Sequence, residues 1–248
     1  MIKKINKYKR NYIKLLVLRL DFKRLENFNI KDFTSLKLLK DYPTEKRQQK
    51  IDFLATLSKE KQTVDKVEYD EYRYYDKSMN NCVCFSGDAV FFEIKSHFSY
   101  EKLQKQFSEI FKILDSKYKI ESFNRLGLRY VNEIEDFKEE YFSKELLINQ
   151  SFLKNLIEKN KSFEETLSLG RMGLKNDNTT TNFVYGKPNK NYPAKQTDRI
   201  FLLDYDSFTT GIHRDHLLDS IDKLHQNIGS LFEASITDTL RKEMNKKQ

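Results

Sequence analysis

The sequence predicts an α+β fold: a mostly antiparallel sheet built from two related halves, each half's strands followed by a long amphipathic helix, with the helices packed on one face. Three observations carry this. Short runs of β-type residues follow one another across tight turns, as in meanders rather than in βαβ units. The apolar period then switches to three and four in two long segments, Tyr100 to Tyr118 and His213 to Lys242. No Gly-, Ser- or Pro-rich linker divides the halves, so residues 12–242 read as one domain, preceded by a basic arm (1–11) and followed by a tail (243–248).

The arm carries Lys3, Lys4, Lys7, Lys9 and Arg10 and reads as solvated. Ile13 to Phe22 has Leu and Val on both faces, which fits a strand buried on at least one side. Asn27 to Leu57 is mixed and charged and reads as one or two short helices, the first ended by Pro43. Lys66 to Tyr75, Asn81 to Ser86 and Ala89 to Lys95 are strand-like, the last two joined at Gly87-Asp88, a hairpin signal. In the first long helix, Leu103, Phe107, Ile110, Phe111, Leu114 and Tyr118 form the apolar stripe, with Ser99 placed as N-cap.

Ile120 to Ile134 returns to period two. Leu126, Leu128, Tyr130, Asn132 and Ile134 share one face, opposite Arg125, Gly127, Arg129 and Val131. Tyr141 to Lys159 reads as helix. Glu165 to Leu174 and Thr180 to Gly186 read as strands about an Asn176-Asp177-Asn178 turn. Lys187 to Thr197, with Pro188 and Pro193, reads as a loop, and Arg199 to Phe208 as a further strand. The final helix carries Leu217, Ile221, Leu224, Ile228 and Leu231, and Gly229 can loosen it midway.

Composition excludes several classes. Hydrophobic residues at 38% and aromatics at 13% suffice for a core despite 33% charged residues. No apolar run approaches the ~20 residues of a membrane helix; Leu15 to Leu18 is bracketed by Lys14 and Arg19 and makes no signal-peptide core. Cys82 and Cys84 lie too close to bridge without strain, so reduced thiols and a cytoplasmic location are expected. The net charge of +8 accompanies an abundance of Lys, Asn, Ile, Phe and Tyr that resembles the codon bias of an AT-rich genome, so it argues only weakly for nucleic acid.

Two constellations are compatible with chemistry. Glu93 and Lys95 end a strand, with Asp88 upstream, and such an acid followed by Glu-x-Lys is the pattern of a metal-dependent nuclease. Asp204 and Asp206 share a strand face, and His213 and His216 open the last helix; together they offer metal-ligand residue types. The competing reading of both sets is a solvated strand end and a polar helix start. Tyrosines interleave with charges over Lys66 to Lys77, as on a base-stacking sheet, but four acids there oppose phosphate. No Gly-rich phosphate loop, Gly-x-Ser-x-Gly elbow or His-Glu-x-x-His stands in the chain, and no cofactor is expected.

The most distinctive run is Arg125-Leu126-Gly127-Leu128-Arg129-Tyr130-Val131-Asn132-Glu133-Ile134. It resembles the Arg-x-Gly-Leu-Arg-Tyr-x-Asn-x-Ile strand motif of a sporadically distributed bacterial and archaeal family of proteins about 250 residues long. The pattern from Leu224-His225 through Leu231-Phe232-Glu233 to Ile236-Thr237-Asp238, with Met244 beyond, is similar to that family's ending, and so is the leucine-rich first strand. The resemblance implies an accessory protein that works with neighbouring gene products, as in mobile-element, anti-phage defence or toxin–antitoxin-like systems. It brings no catalytic residues.

Read physically, Arg125 and Arg129 are each able to form a bidentate pair with a carboxylate, internal or on a partner. Gly127 between them allows close approach or marks a bulge. Asn132 needs partners if buried and is expected to tie the strand to a loop. The sequence therefore points to a non-enzymatic, partner-binding or regulatory protein, with Arg125, Gly127, Arg129, Tyr130 and Asn132 as binding residues and a protein partner encoded nearby. Nucleic-acid binding through a basic sheet face is the alternative, and a metal-dependent nuclease a second. The final helix also offers a surface for pairing across a two-fold axis.

Overall fold

Leu16, Leu18 and Leu20 alternate along β1 (Ile13–Asp21) and are fully buried, which makes this strand the spine of the first half. The computed structural model describes residues 8–57, 62–95, 99–147, 159 and 166–246. After β1 come β2 (Thr44–Leu57), β3 (Gln62–Tyr75), β4 (Asn81–Phe85), β5 (Ala89–Ile94) and helix α1 (Tyr100–Tyr118). The second half holds β6 (Ser122–Glu135), β7 (Ser168–Asn176), β8 (Thr179–Lys187), β9 (Ile200–His213) and helices α2 (Leu217–Ser235) and α3 (Asp238–Asn245).

The nine strands form one antiparallel sheet in the order β2-β3-β4-β5-β1-β6-β9-β8-β7. Both halves follow one route. The first strand takes a central place, the chain crosses to the sheet edge, and a meander returns to lie beside that first strand before a long helix begins. The Phe22 N–H donates to Asp88 O (2.9 Å), joining the end of β1 to the start of β5. The Arg214 N–H donates likewise to Glu121 O (2.9 Å), joining the end of β9 to the start of β6.

The chain gathers into two compact units, one of residues 1–16, 127–209 and 219–248 and the other of 17–126 and 210–218. In the first, the buried face carries Leu128, Tyr130 and Ile134 of β6, Leu203 and Tyr205 of β9, and Phe183 and Tyr185 of β8. The Phe183 and Tyr205 rings lie parallel with centroids 4.5 Å apart. Helix α2 covers them with Ile221, Leu224 and Ile228. In the second unit, α1 buries Leu103, Phe107, Ile110 and Leu114, each worth roughly 1.5–3 kcal/mol of transfer free energy. Ser99 caps it by accepting from the Lys102 N–H, and Lys119 ends it in the left-handed region at φ 51°. Phe33 packs on Phe85 (4.9 Å) and Tyr42 on Phe92 (6.4 Å).

Three expectations need correcting. Between Asn27 and Leu57 the helices are only two short 3-10 turns, Ile30–Asp32 and Lys37–Lys40, and Thr44–Leu57 is a strand. Residues 44–49 of β2 are exposed on both faces, so no apolar alternation marks the strand and its Glu, Lys, Arg and Gln read as helical. The final helix breaks after Ser235: Ile236 bridges to Phe142, Thr237 is extended at φ −99°, and α3 restarts at Asp238. Met244 is buried, so the chain end through Asn245 is a packed helix rather than a tail. Of the basic arm, residues 1–7 lie outside the described residues and Lys9 and Arg10 are exposed; the Arg10 N–H donates to Met244 O (2.9 Å) and the Tyr8 hydroxyl to Glu233 Oε1 (2.6 Å). Of the helix expected over Tyr141 to Lys159, residues 144–147 are helical after a 3-10 turn at Glu139–Tyr141, and 148–158 lie outside the described residues.

Two strands carry an extra residue at matching places. On β6 the buried positions step from Phe123 to Leu126, and on β9 from Thr209 to Ile212, so one residue beyond strict alternation is inserted in each. On β9 this falls at Gly211, whose φ of +63° is costly for any residue with a Cβ.

The β3–β4 turn is held by one carboxylate. Asp76 accepts from the Ser78 hydroxyl, the Asn80 and Asn81 N–H groups and the Asn81 side-chain amide. Partial burial pushes this carboxyl up, but the hydrogen bonds outweigh it and hold the group below the usual carboxylate range. A depressed folded value means that the stabilisation is complete above the unfolded value and is lost as pH falls through the folded one. Asp76→Asn should therefore cost about 1 kcal/mol at neutral pH. The gap from the parent should close below about pH 4 in urea melts at stepped pH.

Candidate functional site

The motif strand β6 sorts its side chains as its alternation requires. Leu126, Leu128, Tyr130, Asn132 and Ile134 are buried, whereas Arg129 is exposed and Val131 and Glu133 are half-buried. Arg129 meets Asp204 of β9 in a two-point pair: its Nε donates to Asp204 Oδ1 (2.9 Å) and its Nη2 to Oδ2 (2.7 Å). That fork-to-carboxylate geometry fixes the guanidinium plane. Hydrogen bonding to Asp204 holds Arg129 still further above its ordinary range, and Asp206 adds to this. The pair is unequal: the Asp204 side chain is 12% exposed and that of Arg129 45%. Two of the five N–H donors of Arg129 are engaged with Asp204, while the side chain still faces solvent.

The surroundings mix both signs. On the neighbouring strands Val184 stands opposite Asp204 and Arg171 opposite Val184, while Asn182 stands opposite Asp206. Further along β6, Glu133 lies 3.7 Å from Lys190 Nζ, and Glu135 accepts from Lys14 Nζ (2.8 Å), which holds its carboxyl below the usual range. This sheet face is a patchwork of paired charges around one half-exposed arginine.

The other motif residues are buried or half-buried. The Tyr130 hydroxyl bonds His225 Nδ1 of α2 (2.9 Å), and burial pushes its phenol up. Asn132 Nδ2 donates to Leu203 O (3.2 Å), so it ties β6 to β9 rather than to a loop. Gly127 is buried, and Arg125 lies half-buried at the bulge of β6.

The two catalytic alternatives are laid out differently from what their chemistry requires. Asp88 precedes β5, accepts from the Ser86 hydroxyl (2.7 Å) and lies 3.5 Å from Arg24. Glu93 is near the opposite end of that strand, ~17 Å away at strand rise, paired with Lys95 at 2.6 Å. Asp204 is engaged by Arg129. The His213 and His216 rings are 6.3 Å apart, and His213 Nδ1 lies 3.3 Å from Asp215. Among the described residues no group of three or more His, Cys, Asp and Glu is placed to hold a metal ion.

The aromatic strand β3 stacks against its own chain, with Arg24 over Tyr69 (4.5 Å) and Arg47 over Tyr72 (5.8 Å). Cys82 and Cys84 are buried free thiols; burial lifts Cys82 to about 11 and raises Cys84 as well, which favours the thiol over the thiolate in both. No helix among the described residues is long and apolar enough to cross a membrane.

Sequence reasoning named Arg129 and Asp204 for separate roles and missed that they face each other. Their only joint signal is the adjacency of β6 and β9, set by the crossover topology rather than by local spacing. No known protein family matches this chain, and no curated protein does.

Proposed function

We infer that this protein acts by binding a protein partner, without making or breaking covalent bonds, through the sheet face around Arg129. The observation that carries this reading is the Arg129–Asp204 pair. Asp204 orients the guanidinium in advance, and with 45% of the Arg129 side chain exposed its remaining N–H donors can meet a carboxylate or carbonyl of a partner at little further entropic cost. The mixed charges around it favour a protein surface over a phosphate backbone, which calls for unneutralised cations. The buried reduced thiols accord with a cytoplasmic setting. Within that setting the protein serves as an accessory component of a mobile-element, defence or toxin–antitoxin-like cassette, its partner encoded by an adjacent gene.

The test is co-expression with the products of adjacent genes, followed by titration of the co-eluting pair. Arg129→Lys keeps the charge opposite Asp204 but loses the planar fork, and should weaken the complex about tenfold with little change in melting temperature. A salt-dependent mobility shift with RNA or DNA, lost in the same variant, would instead establish the nucleic-acid alternative and overturn this reading.

A further inference from the structure

β3 pairs with β4 only over Tyr72–Tyr75, whereas its pairing with β2 continues outward from Gln48↔Glu71 to Leu57↔Gln62. At strand rise this outer stretch extends roughly 30 Å, and among the described residues no third strand flanks it. Composition changes along it. Thr44 to Lys50 contains no apolar residue, whereas Ile51 to Leu57 holds Ile51, Phe53, Leu54, Ala55 and Leu57, with Asp52 its only charge. Ile51 is 48% exposed. A two-stranded ribbon is marginal by itself in water, and an edge free of Pro, Gly and bulges is a template for another strand.

We propose that the strand completing this edge is β2 of a second copy of the chain, paired antiparallel about Ile51 so that the two ribbons join into one four-stranded sheet. In that register Ile51 meets Ile51 on one face, and on the other face Lys50 of each copy, which lies 3.8 Å from Glu71 of its own β3, stands opposite Asp52 of the other, so opposite charges meet across the seam on either side of the centre. β2 as a whole carries Lys46, Arg47 and Lys50 against Glu45 and Asp52, close to balance. The open stretch of β3 is acidic along its own length, with Asp65, Glu68, Asp70 and Glu71 against Lys66, although Arg47 and Lys50 of β2 partner Asp70 and Glu71, and it is less suited than β2 to meet its own copy. Self-pairing therefore belongs to β2. This surface is distinct from the Arg129 face and does not depend on that reading.

The register makes the test specific. Light scattering and sedimentation of the full chain over a concentration series should show a dimer. Lys50→Asp sets Asp against Asp twice and should weaken that dimer at least about tenfold. The double variant Lys50→Asp with Asp52→Lys should restore it. Ile51→Cys should cross-link under mild oxidation, whereas Gln48→Cys should not. A monomer at every concentration overturns the proposal. So does a dimer indifferent to Lys50→Asp that fails to cross-link through Ile51→Cys, as one held by α2 would be.

Discussion

Tyr205→Ala is expected to lower folding stability by about 3–5 kcal/mol. The side chain is fully buried on β9, its ring stacks on Phe183 at 4.5 Å, and its hydroxyl donates to Ser235 Oγ (2.9 Å) on α2. Truncation removes a ring that joins sheet to helix, and two packed layers cannot collapse far enough to fill the space. Tyr205→Phe isolates the polar part. Ser235 still donates to Leu231 O (2.8 Å), so loss of the phenol should cost only about 1 kcal/mol. Urea denaturation of both variants measures the two contributions. Equal losses would mean that the hydrogen bond rather than the ring holds α2 in place.

Arg129→Ala should cost about 2 kcal/mol, and Asp204→Ala about 1 kcal/mol. The inequality follows from exposure: removing the arginine strands a carboxylate that is 12% exposed, whereas removing the aspartate leaves a guanidinium that is 45% exposed and can turn to water. Replacing both, as Arg129→Met with Asp204→Leu, should recover most of the loss, because no charge is left without its counterpart. The thermodynamic cycle from the four proteins reads the coupling directly. A coupling near zero would show that the pair contributes nothing to folding and exists for recognition alone.

Much of the fold could be read from the sequence, and the failures share a cause. β1, β6 and the two long helices bury one face, so their apolar period is strong, and the Gly87-Asp88 and Asn176 to Asn178 turns are marked by their own residues. The first part of β2 is invisible in the sequence because residues 44–49, open on both sides, have no reason to alternate. The break at Ile236-Thr237 was hidden because Ile236 and Leu240 continue the helical spacing of α2 into α3. At the candidate site, periodicity correctly set Arg129 outward and Tyr130 and Asn132 inward. Which carboxylate Arg129 meets depends on a long-range strand neighbour, and one sequence carries no record of that.

The central place of β1 has a consequence for how the chain is made. The first 118 residues contain all of β1 to β5 and α1, so these elements are made before β6 is translated. In that nascent state one margin of the leucine-rich spine is bare, waiting for a neighbour that lies more than a hundred residues later in the chain. Translation speed across the stretch after α1 thus sets how long the adhesive margin is offered to other nascent chains, and slow codons there would lower the soluble yield.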